Sequence, residues 1–160
     1  MKNFKKGFTL IELLVVVAII GILASVVLAS LSDARKKGVD AAVKSNLNNA
    51  MKQAEIFYNM NTSIPNTYTS VCTSGTLGVS GIGLQVQAAA KASGLVGFST
   101  DATGTALTAT CNQSATAFAV EAPLSGSTVA SPKMWCVDST GRSLQTTASK
   151  LSGGTDYDCL

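Results

Sequence analysis

The feature that most constrains this chain is an apolar run close to its amino terminus. Three lysines stand within the first six residues, and residues 13–31 then contain no charged side chain. The whole apolar block covers residues 8–31, which as a helix rising about 1.5 Å per residue would measure about 36 Å. That length crosses a hydrocarbon layer of about 30 Å. It also exceeds the apolar core of an ordinary cleaved signal peptide, about 7–15 residues. The sequence therefore predicts a membrane-spanning helix.

Glu12 interrupts this apolar block near its amino-terminal end. A carboxylate within hydrocarbon costs up to about 3 kcal/mol on insertion scales, so an acidic residue there indicates a functional site. A plain membrane anchor gains nothing from such a residue. We therefore expect Glu12 either to reach the headgroup layer or to find a cationic partner.

The segment KGFTLIELLVVVAIIGILA at residues 6–24 resembles the class III signal of type IV pilins and type II secretion pseudopilins. The resemblance implies that a prepilin peptidase and methyltransferase cleaves the chain after Gly7 and N-methylates the new amino terminus, Phe8. It also implies that Glu12 pairs with the amino terminus of an adjacent subunit and sets the register of assembly.

The same resemblance implies a location and a set of partners. Before assembly the chain would cross the cytoplasmic membrane once, with its amino terminus in the cytoplasm and its carboxy-terminal domain outside. Inner-membrane assembly machinery would then draw it from the lipid bilayer into a helical filament of identical copies on the cell surface.

Beyond residue 31 the apolar pattern becomes amphipathic. Apolar residues recur at intervals of three and four, which indicates one helical face: Val39, Val43, Leu47, Met51, Ala54 and Tyr58. Pro65 bars continuation of a helix past this region. We predict one helix over residues 8–61, whose second half, residues 32–61, packs on a domain. Gly38 weakens a helix by about 1 kcal/mol relative to alanine, which leaves two separate helices as an alternative.

Residues 66–160 predict a small α+β domain. After an irregular segment at residues 67–83, residues 84–93 favour a short helix, and four segments favour strands: residues 106–113, 116–122, 133–138 and 142–146. A small antiparallel sheet packed on the amphipathic half of the long helix would give the pilin fold that the resemblance implies. Five residues are the predicted core: Phe118, Val120, Met134, Trp135 and Val137.

The four cysteines predict two disulfides. Cys72, Cys111, Cys136 and Cys159 contain no C-x-x-C pair, and an even count behind an export-type segment is typical of a disulfide framework. Three connectivities are possible. We favour Cys72–Cys111 with Cys136–Cys159, since the loop closed by the second pair resembles the disulfide-bounded carboxy-terminal region of many type IV pilins.

Several functions are disfavoured by composition. The chain has no histidine, which excludes Ser-His-Asp catalysis and histidine-ligated zinc. Residues 66–160 hold four basic and five acidic side chains, so a nucleic-acid partner is not expected. Asp138, Asp156 and Asp158 lack the ligand density of a calcium loop, and we expect no metal and no cofactor.

These observations predict a structural protein and not an enzyme. The expected organisation is a leader at residues 1–7, a membrane and filament-core half-helix at 8–31, an amphipathic half-helix at 32–61, and a disulfide-stapled domain at 66–160. The expected function is that of a type IV pilus subunit, with the length of a major pilin. The alternatives are a type II secretion pseudopilin or, from a different class, an uncleaved membrane-anchored receptor or enzyme.

The first prediction concerns processing. We expect the mature protein to begin at Phe8, and Gly7→Val to block cleavage because the peptidase requires a small residue before the bond. Mass spectrometry of the membrane-bound and surface-exposed protein measures both. An intact Met1 on the surface protein, or a different start site, would contradict the assignment.

Overall fold

The computed structural model describes residues 7–60, 65–73 and 81–160. The chain divides into two compact units at the boundary between Arg35 and Lys36. The order of elements along the chain is α1 (Leu10–Met60), α2 (Gly83–Ala92), β1 (Phe98–Thr100), β2 (Ala109–Gln113), β3 (Phe118–Pro123), β4 (Met134–Asp138) and β5 (Ser143–Thr146). The architecture is α+β, as the sequence predicts.

Helix α1 is continuous through Gly38, so the alternative of two separate helices is wrong. The helix begins two residues later than predicted, because Thr9 caps it and Phe8 precedes the cap. Residue 61, where the predicted helix ends, lies outside the described residues. A glycine adds no side chain to a helix but does not break the backbone hydrogen bonds, so packing of the second half outweighs its cost of about 1 kcal/mol.

The second half of α1 buries one face. Its buried residues are Val43, Leu47, Ala50, Ala54 and Phe57, while Val39, Met51 and Tyr58 of the predicted stripe are partly buried. The predicted face is therefore the one that packs. Ala50 and Phe57, which the sequence pattern left out, are also buried and complete the 3.6-residue period.

Three hydrogen bonds, which we call the polar ties, also attach α1 to the domain. Their acceptors on α1 are spaced eight and seven residues apart. Asp40 Oδ1 accepts a hydrogen bond from the Ser125 backbone N–H at 2.7 Å. Asn48 Oδ1 accepts one from the Ser143 hydroxyl at 2.6 Å. Glu55 Oε1 accepts one from the Tyr68 hydroxyl at 2.8 Å. The ties repeat at about two helical turns, so they lie on one side of α1.

The five strands form one sheet in the order β1-β2-β3-β4-β5. Strands β2 to β5 are an antiparallel meander, as predicted, but β1 pairs in parallel with β2, which the sequence did not predict. Strand β1 has three residues, too few for an alternating pattern to be recognised. Strand β2 begins at Ala109 and not at residue 106, because Thr105 to Thr108 form a turn in which Thr108 Oγ1 accepts the Thr105 N–H.

Helix α2 lies within one residue of its predicted position and contacts β1, β2 and β3. It ends at Ala92, and Gly94 shortly after it has a φ of +87°, the left-handed conformation that glycine adopts most easily. Part of the predicted irregular segment, residues 74–80, lies outside the described residues.

One face of the sheet joins α1 and α2 in a hydrophobic core. Phe118, Val120 and Val137 are fully buried there, as predicted. Met134 is also fully buried, but the strand alternation places it on the opposite face. Trp135 packs against the core while partly exposed: Lys44 Nζ lies 4.7 Å from its ring centroid, and its indole N–H donates to Asn48 Oδ1 at 3.4 Å.

The opposite face of the sheet carries buried polar side chains: Thr110, Asn112, Glu121, Asp138 and Thr146. The chain after β5, residues 147–160, covers this face, and we call this segment the carboxy-terminal strap. Asn112 Nδ2 donates to the carbonyls of Gly153 at 2.8 Å and Asp156 at 3.1 Å. A buried polar group without a partner costs about 1–3 kcal/mol, so these bonds define where the strap must lie.

Glu121 is one of the two fully buried carboxyls that the structure describes on this face, and Asp138 is the other. Glu121 accepts hydrogen bonds from the Ser149 hydroxyl and, at 2.9 Å, from the Lys150 backbone N–H. Burial raises the pKa of Glu121, and the hydrogen bonds from the strap offset only part of that rise. A Cβ at Gly104 would meet the Glu121 carboxyl and the Ser149 hydroxyl, so this close approach requires glycine.

Asp138 holds the end of the strap. Its Oδ2 accepts the Cys159 backbone N–H at 3.1 Å, and Thr140 bonds its other oxygen. Burial would raise the pKa of Asp138, but the bonds from Thr140, Cys159 and Arg142 favour the charged form and hold the pKa below its usual value. Folding thus raises the pKa of Glu121 and lowers the pKa of Asp138.

The second prediction concerns pH. Below the pKa of an unfolded-chain glutamate, about 4.3, Glu121 is protonated in both states. As pH rises toward the raised folded-state pKa, the unfolded state releases the proton first, so the free energy of unfolding falls. Glu121→Gln keeps an acceptor for Lys150 but cannot titrate, so its melting temperature should fall less with rising pH than that of the wild type.

Near-ultraviolet circular dichroism of Trp135, the one tryptophan in the sequence, can follow unfolding between about pH 5 and pH 8. Asp138 stabilises above its unfolded-state pKa and loses that contribution only at lower pH, outside this window. Asp158→Asn, an exposed carboxylate on the same strap, is the matched control. Equal pH slopes for the wild type and Glu121→Gln would show that Glu121 carries no such effect.

Candidate functional site at the amino terminus

Thr9 and Glu12 form a reciprocal cap at the start of α1. The Thr9 carbonyl accepts the Leu13 N–H at 3.3 Å, which makes Thr9 the N-cap. The Thr9 hydroxyl accepts the Glu12 N–H at 3.3 Å, while Glu12 Oε2 accepts the Thr9 backbone N–H at 2.9 Å. This is a capping box, in which the side chains at N-cap and N3 satisfy each other's backbone donors.

The Thr9 hydroxyl also donates to Glu12 Oε2, at 2.7 Å. Both donors from Thr9 therefore reach the same carboxylate oxygen. Among the residues that the structure describes, none donates a hydrogen bond to Oε1 of Glu12. The sequence interpretation placed Glu12 correctly as a special residue but missed Thr9, although T-x-x-E before an apolar run is the signature of this cap.

Gly7 and Phe8 precede the helix in non-helical conformation, and both are exposed. The Phe8 side chain is 87% exposed. The bond between them is therefore sterically open to a peptidase, which needs an extended segment rather than a helix.

Within residues 7–60, 65–73 and 81–160, none covers the amino-terminal half of α1. Every residue from 7 to 38 is exposed, including the large apolar side chains of residues 8–31. Part of α1 is long and apolar enough to cross a membrane. Apolar surface of this extent on a soluble monomer would exceed the few hundred Å² that such proteins expose, so it requires lipid or other protein around it.

The structure pairs the cysteines as the sequence interpretation favoured, Cys72 with Cys111 and Cys136 with Cys159. Both pairs have a Cα–Cα distance of 5.8 Å. The first joins the segment after α1 to β2, and the second joins β4 to the end of the strap. Disulfides thus join both the first and the last segment of the domain to its sheet.

The three acidic residues considered as metal ligands do not form a cluster. Asp138 bonds the Cys159 and Thr140 backbone, Asp156 accepts from Gly153 N–H at 2.7 Å, and Asp158 accepts from Leu160 N–H at 3.0 Å. Within the described part of the chain, no group of three or more acidic or cysteine side chains could hold a metal ion.

Comparison with known proteins agrees with this amino-terminal geometry. Residues 2–28 match the family described as the prokaryotic N-terminal methylation motif. The chain is also 50% identical, over 70 residues, to the type IV wide pilus major component PilA4 of Thermus thermophilus. The chain therefore carries the methylation motif in residues 2–28 and is similar over part of its length to a type IV pilus component. The aligned part covers 44% of this chain and only half of that relative's length, and no solved structure matches.

The capping box places a helix cap and a carboxylate at the start of the apolar segment. The matched family is described by amino-terminal methylation, and the apolar part of α1 is long enough to cross a membrane.

The third prediction concerns the cap. Thr9→Ala removes both side-chain bonds of Thr9, and loss of an N-cap costs about 1 kcal/mol, or about fivefold in the local opening equilibrium. The backbone amides of Glu12 and Leu13, which donate to Thr9, should therefore exchange with deuterium about fivefold faster in detergent-solubilised mature protein. Thr9→Ser keeps the hydroxyl and should exchange like the wild type. Unchanged exchange in Thr9→Ala would contradict a stabilising cap.

Proposed function

We propose that this chain is the major structural subunit of a type IV pilus. It is cleaved after Gly7, N-methylated at Phe8 and assembled into a helical filament through the apolar half of α1. The chain performs no catalysis in this role. Its partners are the prepilin peptidase and methyltransferase, the inner-membrane assembly machinery, the bilayer before assembly, and further copies of itself.

The observation that carries the proposal is the fully exposed apolar surface of residues 8–31 together with a carboxylate at its start. Hydrocarbon can surround the apolar side chains but offers no cation to the Glu12 carboxylate. Identical helices packed side by side satisfy both, because each copy offers apolar side chains and, after cleavage, one free amino group at Phe8. Assembly thus replaces lipid contacts by protein contacts and gives the carboxylate a cation.

The geometry of Glu12 supports pairing between copies. Its Oε2 serves the cap of its own helix, while Oε1 accepts no hydrogen bond from the described residues of the same chain. One oxygen can therefore retain the cap while the other accepts the Phe8 amino group of an adjacent subunit. Charge-assisted bonds are about twice as strong as neutral ones, and burial among apolar helices strengthens them further.

The proposed topology has the amino terminus in the cytoplasm and the domain outside. Two disulfides in the domain support this orientation, because cysteine pairs persist in oxidising compartments and are rare in the cytoplasm. Three basic residues precede the apolar run and three follow it at residues 35–37, so the positive-inside count is close to a draw and the disulfides support the orientation instead.

A type II secretion pseudopilin shares the amino-terminal motif and would be processed in the same way. The strap is held here by a disulfide and by buried polar side chains, which supports a pilin. Electron microscopy of filaments sheared from cells separates the two, since only the pilin yields long surface filaments. Amino-terminal sequencing separates both from an uncleaved receptor or enzyme.

The fourth prediction separates the two roles of Glu12. Glu12→Gln keeps an acceptor for the cap but removes the charge, whereas Glu12→Ala removes both. If pairing with a neighbouring amino group drives assembly, both variants should insert and be cleaved but yield at least about tenfold less filament, because loss of a buried charge pair costs several kcal/mol. Immunoblots of membrane fractions and sheared filaments measure the ratio.

Thr9→Ala is the matched control, because it weakens the cap and leaves the carboxylate in place. Filament yield near that of the wild type is expected for Thr9→Ala. If Glu12→Gln assembled normally while Glu12→Ala did not, the cap and not the charge would be the determinant. Normal filaments from both Glu12 variants would remove Glu12 from the assembly mechanism.

A further inference from the structure

Each disulfide of the domain has one cysteine on a strand, and the two strand cysteines occupy equivalent positions. Cys111 and Cys136 are each the third residue of a five-residue strand, β2 and β4, and both are fully buried. The last residues of these strands are Gln113 and Asp138. Side chains two positions apart on a strand point to the same face. Each strand cysteine therefore has a polar side chain beside it on its own face.

These two polar side chains bond the backbone of the cysteines that arrive from other segments. Gln113 Oε1 accepts the Cys72 N–H at 2.8 Å. Asp138 Oδ2 accepts the Cys159 N–H at 3.1 Å. At both disulfides, the residue two positions after the strand cysteine thus holds the main chain of the cysteine to which that strand cysteine is bonded.

The Asp138 carboxylate is held in place by the turn that follows β4. Its Oδ1 accepts the Thr140 N–H at 2.9 Å and the Arg142 N–H at 3.3 Å, and the Arg142 guanidinium lies 3.5 Å from Oδ2. These contacts are local to residues 138–142. The carboxylate can therefore be oriented before Cys159 reaches it.

The Gln113 amide is oriented in a comparable way by Asp101. The Gln113 backbone N–H donates to Asp101 Oδ1 at 2.9 Å, and Gln113 Nε2 donates to Asp101 Oδ2 at 3.2 Å. The amide nitrogen is thus directed at Asp101, which leaves the amide oxygen for the Cys72 N–H. This acceptor too is set by residues outside the segment that it binds.

The two disulfides lie on opposite faces of the sheet. Cys111 belongs to the hydrophobic core together with Val120, its cross-strand partner in β3. Cys136 is paired with Glu121 of β3, on the face that the strap covers. A cysteine that is held on one face does not reach the strand cysteine of the other face. The two acceptors therefore favour one of the three possible connectivities.

We propose that Gln113 and Asp138 are positioning residues for disulfide formation: each binds the main chain of one incoming cysteine and places its thiol beside the strand cysteine two positions earlier. This inference goes beyond the proposed function, because it concerns oxidative folding of the domain and requires neither a membrane nor a filament.

The chemistry requires an external disulfide as oxidant, for which we use oxidised glutathione. One cysteine thiolate attacks it, forms a mixed disulfide and releases the first glutathione thiolate. The second cysteine thiolate attacks the protein sulfur of the mixed disulfide and releases the second glutathione thiolate. Two electrons pass from the cysteine pair to glutathione, and the two thiol protons pass to solvent. The second step depends on how close the two cysteines lie, so it is the step that the acceptors favour.

The test uses the full chain in detergent, reduced and then equilibrated with mixtures of reduced and oxidised glutathione. Free thiols are trapped by alkylation, and peptide mapping gives the oxidised fraction of each pair. The exchange equilibrium constant with glutathione is the effective concentration of that pair. Asp138→Asn keeps Oδ1 for Thr140 and Arg142 but sets an amide N–H against that of Cys159. Gln113→Met removes the amide oxygen at similar side-chain size.

We expect Asp138→Asn to lower the effective concentration of the Cys136–Cys159 pair about tenfold, because a hydrogen bond to a charged acceptor is lost. The Cys72–Cys111 pair of the same variant should stay within about twofold of the wild type, since its acceptor is unchanged. A general loss of stability would lower both pairs together, so the comparison within one molecule separates positioning from a merely structural role.

Gln113→Met should show the reverse selectivity, with a fall of about threefold confined to the Cys72–Cys111 pair, since a neutral hydrogen bond contributes less. Two exposed residues provide matched controls. Asp158→Asn changes a carboxylate that accepts the Leu160 N–H, and Gln145→Met changes a strand glutamine of β5. Neither control should alter either pair.

A fall of both pairs together in a folded variant would overturn the proposal, as would a folded variant whose own pair is unchanged. Near-ultraviolet circular dichroism shows whether each variant is folded. If Asp138→Asn does not fold, the half-buried Gln113 decides: a loss confined to Cys72–Cys111 in Gln113→Met supports the proposal, and any other result overturns it.

Discussion

The apolar surface of residues 8–31 is the constraint on which the rest of this structure depends, because all of these residues are exposed in the part of the chain that the structure describes. A helix of this kind requires a surrounding medium of lipid or of identical helices. The first turn reflects the same requirement: in a medium without water the free N–H groups at a helix start have few partners, and Thr9 and Glu12 supply partners from within the segment. Membrane insertion and assembly both require such a self-contained helix start.

In the domain, both faces of a small sheet are covered, each in a different way. One face packs on α1 and α2 through apolar side chains. The other has no helix to cover it and is covered by the carboxy-terminal strap, which has little regular structure and many backbone groups to satisfy. Asn112, Glu121 and Asp138 bond those groups, and the Cys136–Cys159 disulfide fixes the end. Buried polar residues here replace the regular hydrogen bonds that a strap of this kind lacks.

The sequence was sufficient where a single pattern decides the structure. The 3.6-residue period located the buried face of α1, and strand alternation located β3 and β4 within two residues. It failed where the outcome depends on distant residues. Strand β1 exists only because β2 is beside it, and Met134 was recognised as buried but not as belonging to the strap side. Glu121 and Asn112 were missed as buried residues, because their partners lie about 30 to 40 positions away in a segment with no pattern of its own.

The continuity of α1 has a mechanical consequence. Tension that reaches residues 36–60, as in a filament under load, is carried along the helix axis, because the helix is continuous through Gly38. The ties at Asp40, Asn48 and Glu55 are spread along that axis, so sliding the helix past the sheet must break all three and the apolar packing between them together. Such a shear geometry shares the load among many contacts, whereas peeling from one end would break them one at a time. The domain is therefore attached to its helix in the manner best suited to resist pulling.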